Sequence, residues 1–158
     1  MGCSRTTPQS KKPCLISEPT AQAPSFEFHA TLTHLDRGLD TLHASVQLLR
    51  RRIGRASSDL ALMQFELALS EIGANVLRYA HPHGSNEPKA EFELKLDSET
   101  VTAVLTDWGP PLHNQLTRAM PPSSSEAGRG LAIARKVLDE LGYQREGEVN
   151  TWRLVKRL

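Results

Sequence analysis

The chain has 158 residues, with 19 Lys and Arg against 18 Asp and Glu for a formal charge of +1. That length suits one domain, by the usual span of about 100 to 200 residues, and is enough for a core without staples. The charge balance gives no global electrostatic case for nucleic acid or an anionic membrane, and Cys3 and Cys14 cannot build a disulfide framework or a thiolate metal cage for the remainder.

No apolar run reads as the about 18 to 20 residues that span a bilayer, and the first residues lack the apolar core of a secretory signal, so the expected address is cytoplasmic. Met1-Gly2-Cys3-Ser4-Arg5-Thr6 satisfies the loose myristoylation template, with Cys3 placed for a second acyl chain. The template is short, and an unmodified tail is the plainer reading. Residues 1–24 carry Pro8, Pro13, Pro19 and Pro24 among Ser, Thr and Gln, too little apolar surface to offset chain entropy, and read as a disordered leader ahead of a folded domain at 25–158.

Phe26, Phe28, Ala30 and Leu32 alternate with Glu27, His29, Thr31 and Thr33, which predicts a half-buried strand. Asp36 is placed to cap a helix running to about Arg52, with Leu39, Leu42, Val46 and Leu49 on one side and Gly54 as its stop. Ser57 or Ser58 then starts a long helix to about Ala80, ended by Pro82 and Gly84. Phe92, Leu94 and Leu96 alternate with charged residues, and Asp97-Ser98-Glu99-Thr100 turns the chain into a second strand, Val101 to Thr106.

From Gly109 to Ala127 four prolines and three consecutive serines break any periodicity, as expected of a functional lid or a disordered loop. A helix from about Gly130 to Leu141 follows, with Gly142 as its stop, and Tyr143–Glu146 and Thr151–Lys156 close the chain as paired strands. The order predicts an α/β two-layer sandwich, with a mixed, mostly antiparallel sheet and the helices on one face.

The long helix has two apolar stripes, one of Leu62, Phe65, Leu69, Ile72 and Val76, the other of Leu60, Met63, Leu67 and Ala74. Two polar arcs separate them: Glu66 with Ser70, and Gln64 with Glu71, Asn75 and Arg78. An ordinary surface helix needs one wet face, so the second arc is either simply solvated or lines a polar pocket. Residues four apart project from one side about 6 Å apart along the axis, close enough to hold two points of one small ligand. Asn75 offers a hard neutral oxygen that Mg²⁺ accepts, and Glu71 a carboxylate able to deprotonate a hydroxyl.

Asp107-Trp108-Gly109 ends a strand, where a carboxylate accepts hydrogen bonds and glycine allows close approach to a flat ring; it is equally a common turn. Gly128-Arg129-Gly130-Leu131 opens a helix, where free amides favour phosphate oxygens; it is equally a hinge. Neither the P-loop nor the Rossmann glycine pattern is present. His81 and His83 lack further ligands at a zinc spacing, Ser123 to Ser125 lack a nucleophile-elbow context, and Arg50-Arg51-Arg52 suits the carboxyl end of its helix.

In order, Glu71-x-x-x-Asn75, Asp107-x-Gly109, the proline-serine lid, Gly128-Arg129-Gly130-Leu131 and Asn150-Thr151 resemble the ATP site of the GHKL superfamily of gyrase, Hsp90, histidine kinases and MutL. Within it, Ser70-Glu71-Ile72-Gly73-Ala74-Asn75 and Gly128-Arg129-Gly130-Leu131-Ala132-Ile133-Ala134 are similar to bacterial anti-sigma factor serine-protein kinases, over about Phe26 to Leu158.

The resemblance implies a Bergerat ATP-binding fold with an ATP lid. It implies Asn75 as Mg²⁺ ligand, Glu71 as general base, Asp107 as acceptor from the adenine amino group, and Gly109 as its close-approach residue. It further implies Gly128, Arg129 and Gly130 around the phosphates, with Leu131 and Arg78 among the nucleotide-binding residues and Thr151 at the base edge. The implied acceptor is a serine on a STAS-domain anti-anti-sigma factor. A sigma factor is the competing partner, and the protein is a homodimer by family tendency. Pro110 and Pro111 stand where many members have a second glycine, and Tyr79 where many have His.

Overall fold

The computed structural model describes residues 25–81, 88–111 and 129–158. The leader, most of the proline-serine lid with Gly128, and the Pro82 to Gly84 helix stop with His83 lie outside them. The elements are β1 (Phe26–Thr33), α1 (Leu35–Ile53), α2 (Leu60–Tyr79), β2 (Lys89–Asp97), β3 (Thr100–Asp107), α3 (Arg129–Val137), β4 (Glu140–Glu146) and β5 (Val149–Arg157). The five strands form one sheet in the order β1-β2-β3-β5-β4. Every neighbouring pair is antiparallel, so no parallel pair of the expected mixed sheet occurs among the described residues.

Period-two patterning sorts the faces. Phe92, Leu94, Leu105, Ala103, Trp152 and Leu154 are buried on the helix-bearing side, while the other side carries Glu91, Glu93, Lys95, Thr102, Thr106 and Arg153. α2 lays Leu62, Phe65, Leu69, Ile72 and Val76 onto this core, each worth about 1.5 to 3 kcal/mol of burial. Its second apolar stripe does not reach the core: Leu60, Met63 and Leu67 are exposed. By length and composition alone α2 is long and apolar enough to cross a membrane; here it is the central core helix, packed between α1 and α3 over the sheet.

Three helix ends differ from the sequence expectation. Asp36 sits inside the first turn of α1, and the chain enters that helix through His34 at φ 58°, without a side-chain cap. α2 starts at Leu60, later than either serine, because Asp59 is its cap: the Asp59 carboxylate accepts from the Leu62 amide at 3.0 Å. α3 stops at Val137, a turn short of Leu141. Leu138 still donates to the Ala134 carbonyl at 3.0 Å, but Asp139 already donates to the Val155 carbonyl at 3.0 Å, so pairing with the long β5 takes the chain over. Gly142 is therefore a β4 residue opposite Arg153, and the helix spacing of its leucines is overridden by sheet register.

Two-residue turns fix the register that places the site. Gly147, at φ 59°, leads the β4–β5 turn, so Glu146 pairs with Val149 and Arg145 with Asn150. On the other edge of β5, Asn150 pairs with Asp107 at the end of β3.

Candidate functional site

Direct cross-strand partners project from the same face of a sheet, so the Asp107–Asn150 pairing puts both side chains under the carboxyl-terminal half of α2. There Asn75, Val76 and Tyr79 of α2 join Asp107, Pro110, Tyr143, Asn150 and Trp152 around a pocket with about 260 Å³ of open space, its solvent-filled mouth included. Tyr143 and Trp152 form an aromatic wall, with ring centroids 4.7 Å apart.

Asp107 is 4% exposed, and its two oxygens differ. Oδ1 accepts from the Gly109 amide at 2.8 Å and from Asn150 Nδ2 at 2.8 Å. Oδ2 makes no hydrogen bond among the described residues and is the open acceptor of a pocket otherwise walled by rings, aliphatic groups and carboxamides. Asn150 Nδ2 also donates to the Gly109 carbonyl at 3.1 Å. Asn150 Oδ1 accepts from Tyr143 Oη at 2.7 Å and Arg145 Nη1 at 2.6 Å, and Arg145 Nη1 donates to the Gly109 carbonyl at 3.0 Å.

Gly109 is explained by its neighbours. A Cβ there would overlap the Tyr79 carbonyl oxygen and crowd Ala80, so the absence of a side chain lets the strand end lie against the end of α2. Gly130, buried in the first turn of α3, meets Glu71 in the same way: a Cβ would collide with the Glu71 carboxylate. The half-buried Glu71 is thereby held over the amino-terminal turn of α3, one helical turn from the half-buried Asn75.

The structure thus brings Asn75 and Asp107 into one pocket, with Glu71 and Gly130 in contact one helical turn away and Gly109 packed against the end of α2. Arg129 is the first residue of α3 and is half-buried. Other members of the expected set lie elsewhere. Arg78 is exposed and does not line the pocket. Leu131 belongs to the hydrophobic core. Thr151 pairs with Thr106 and so lies on the opposite sheet face from Asp107; the β5 residue beside Asp107 is Asn150. Sequence reasoning missed Tyr143, Arg145 and the place of Asn150, although counting back from a tight Gly147 turn would have aligned Arg145 with Asn150.

The other polar groups that stood out have structural roles. Glu66 accepts from Arg50 Nη2 at 3.0 Å and Gln47 Nε2 at 3.3 Å and lies 2.5 Å from His43 Nδ1. Arg50 is buried instead of decorating its helix end, and donates to the carbonyls of Ala56 and Ser57 at 3.1 and 3.2 Å, tying the α1–α2 connection. On the outer sheet face Glu27, His29 and Glu93 converge closely enough to suggest a metal, but the Lys95 ammonium already bonds Glu93 and Glu27. His29 and Lys95 hold the Glu27 carboxyl below its usual range, and the two glutamates hold Lys95 above the ordinary lysine value.

The profile of the histidine kinase-like ATPase domain matches residues 28–156. No curated protein matches the chain. Among solved structures, a nucleotide-free form of the catalytic domain of histidine kinase ThkA aligns at 15% identity with a TM-score of 0.48, over 84% of this chain and 96% of that one. A second nucleotide-free form aligns at 12% identity and 0.49, over 81% and 95%. With its matched span running from β1 to β5, the chain belongs to the histidine kinase-like ATPase domain family, of the GHKL type.

Proposed function

We propose that the protein is an ATP-dependent serine kinase. It would phosphorylate a STAS-domain anti-anti-sigma factor and sequester a sigma factor when that antagonist is phosphorylated, working as a homodimer in the cytoplasm. The observation that carries the nucleotide reading is the buried Asp107, whose Oδ2 is left open toward a pocket shared with Asn75. The partner reading rests on the likeness of Ser70–Asn75 and Gly128–Ala134 to anti-sigma kinases.

The residues fit the groups such a reaction needs. Asn75 places a carboxamide at the pocket, a hard oxygen suited to Mg²⁺, which takes one or two protein ligands and completes its shell with phosphate and water. The metal would offset charge on the phosphates. Arg129 and the first turn of α3 would hold phosphate oxygens. Glu71, one turn before Asn75, would take the proton of the attacking serine hydroxyl as the γ-phosphoryl moves to that oxygen and ADP leaves. The new phosphate adds about −1.5 to −2 charge, enough to disrupt the docking surface of the acceptor.

The test is incubation with Mg-ATP and a cognate STAS protein. Acid-stable phosphoserine, lost with Glu71→Ala, is the expected result; no phosphoserine, or Glu71→Ala acting like wild type, overturns the kinase reading. Because the family is named for histidine kinases, acid-labile phosphate on a helical partner is the second reading and is scored in the same assay. Tight stoichiometric nucleotide binding without turnover would instead mark a non-catalytic switch. Asn75→Ala is expected to lose the Mg²⁺-dependent part of nucleotide affinity.

A further inference from the structure

We propose that Arg145, on the edge strand β4, is a positioning residue that anchors the hydrogen-bond chain ending at Asp107, and through it the preference for a nucleobase carrying an amino group. The proposal rests on the nucleotide reading above.

Each link of the chain has two possible senses except at its ends. A carboxamide presents a donor on one side and an acceptor on the other, and a tyrosine hydroxyl can donate or accept. The Asp107 carboxylate and the Gly109 carbonyl only accept, so the Asn150 NH2 faces them and its oxygen faces Tyr143 and Arg145. A guanidinium is donor only. Arg145 Nη1, 2.6 Å from Asn150 Oδ1, backs that sense from the other end with a charged donor, and Nδ2 lies 2.8 Å from Asp107 Oδ1. Arg145 also grips the Gly109 carbonyl at 3.0 Å, which Asn150 Nδ2 shares at 3.1 Å. The residue whose amide donates to Asp107 Oδ1 at 2.8 Å is thus held by its own carbonyl beside it.

The consequence falls on Oδ2. With both donors gathered at Oδ1, the carboxylate is held with one committed and one open oxygen facing the pocket. An open acceptor matches the amino group of adenine and opposes the carbonyl that guanine presents at the same position. Without Arg145, Asn150 Oδ1 and the Gly109 carbonyl each lose a donor, which loosens the Asn150–Gly109 pair that holds the Asp107 carboxylate in its orientation.

The test measures ATP and GTP binding to wild type, Arg145→Met and Arg145→Lys in Mg²⁺, alongside the side-chain NH2 signals of Asn150 by NMR without nucleotide. Arg145→Met is expected to weaken ATP by about tenfold, as for loss of a charge-assisted hydrogen bond, and to narrow the ATP-to-GTP ratio. Arg145→Lys, still donor only, is expected to restore the ratio in part. The Asn150 NH2 protons are expected to be exchange-protected in wild type and in Arg145→Lys and to lose protection in Arg145→Met. A wild-type ATP-to-GTP ratio in Arg145→Met, or equal loss of both nucleotides with unchanged Asn150 signals, overturns the proposal. Wild type that binds neither nucleotide, while the Asn150 signals still follow residue 145, refutes the nucleotide reading and leaves the positioning role standing.

Discussion

Gly109 lies so close to the Tyr79 carbonyl that no side chain fits between the end of β3 and the end of α2. The neighbour is backbone and cannot rotate away, so Gly109→Ala is expected to force the strand end off the helix. The cost should be about 1 to 3 kcal/mol, the range for overpacking a tight contact. Urea unfolding without nucleotide checks it; unchanged stability there would mean that the glycine serves the ligand alone.

The Gly130 contact differs because what it meets is the end of a side chain, the Glu71 carboxylate. Gly130→Ala should therefore displace Glu71 more than it unfolds the protein. In a double-mutant cycle with Glu71→Ala, the stability cost of Gly130→Ala should shrink, giving a coupling of about 0.5 to 3 kcal/mol. Strict additivity would mean that the two residues do not press on one another.

Much of this arrangement is legible locally. The 3.6-residue spacing of α2 puts Glu71 and Asn75 on one arc, and strand alternation identifies the buried faces of β2 and β3. What is not legible depends on pairing between distant segments. Asp107 and Asn150 are 43 residues apart and meet only through the β3–β5 register, and a shift of one residue separates Asn150 from Thr151, hence one sheet face from the other. The overrun of α3 has the same origin: the leucine spacing around Leu138 and Leu141 suits a helix, while β5 offers Leu141 a partner in Leu154. Arg50 looked like a helix-end charge because its partner, Glu66, lies on the next helix.

That pair yields an asymmetric prediction. Arg50 is 4% exposed at its side chain and Glu66 17%, and Arg50 Nε is buried without a hydrogen bond among the described residues. Glu66→Ala leaves a buried guanidinium without its counter-charge and should cost about 3 to 5 kcal/mol. Arg50→Met keeps the aliphatic packing and leaves Glu66 near His43 and Gln47, so it should cost less. Equal losses in denaturant unfolding would contradict this order.

Asp59 gives a dependence on pH. The Leu62 amide, and after it Arg55, holds the Asp59 carboxyl below its ordinary value of 3.8 in the folded protein. A carboxyl lowered on folding stabilises the native state fully above the unfolded value and loses that contribution as pH falls through the folded value. Asp59→Asn retains an oxygen for the cap but has no proton to gain, so the stability difference between wild type and Asp59→Asn should be constant from neutral pH to about pH 5 and change below about pH 4. Asp59→Ala removes the cap and should cost about 1 kcal/mol at neutral pH. Thermal melts of the three proteins across that range check both statements, and parallel curves for wild type and Asp59→Asn down to the acid transition would show that the cap does not depend on the charge.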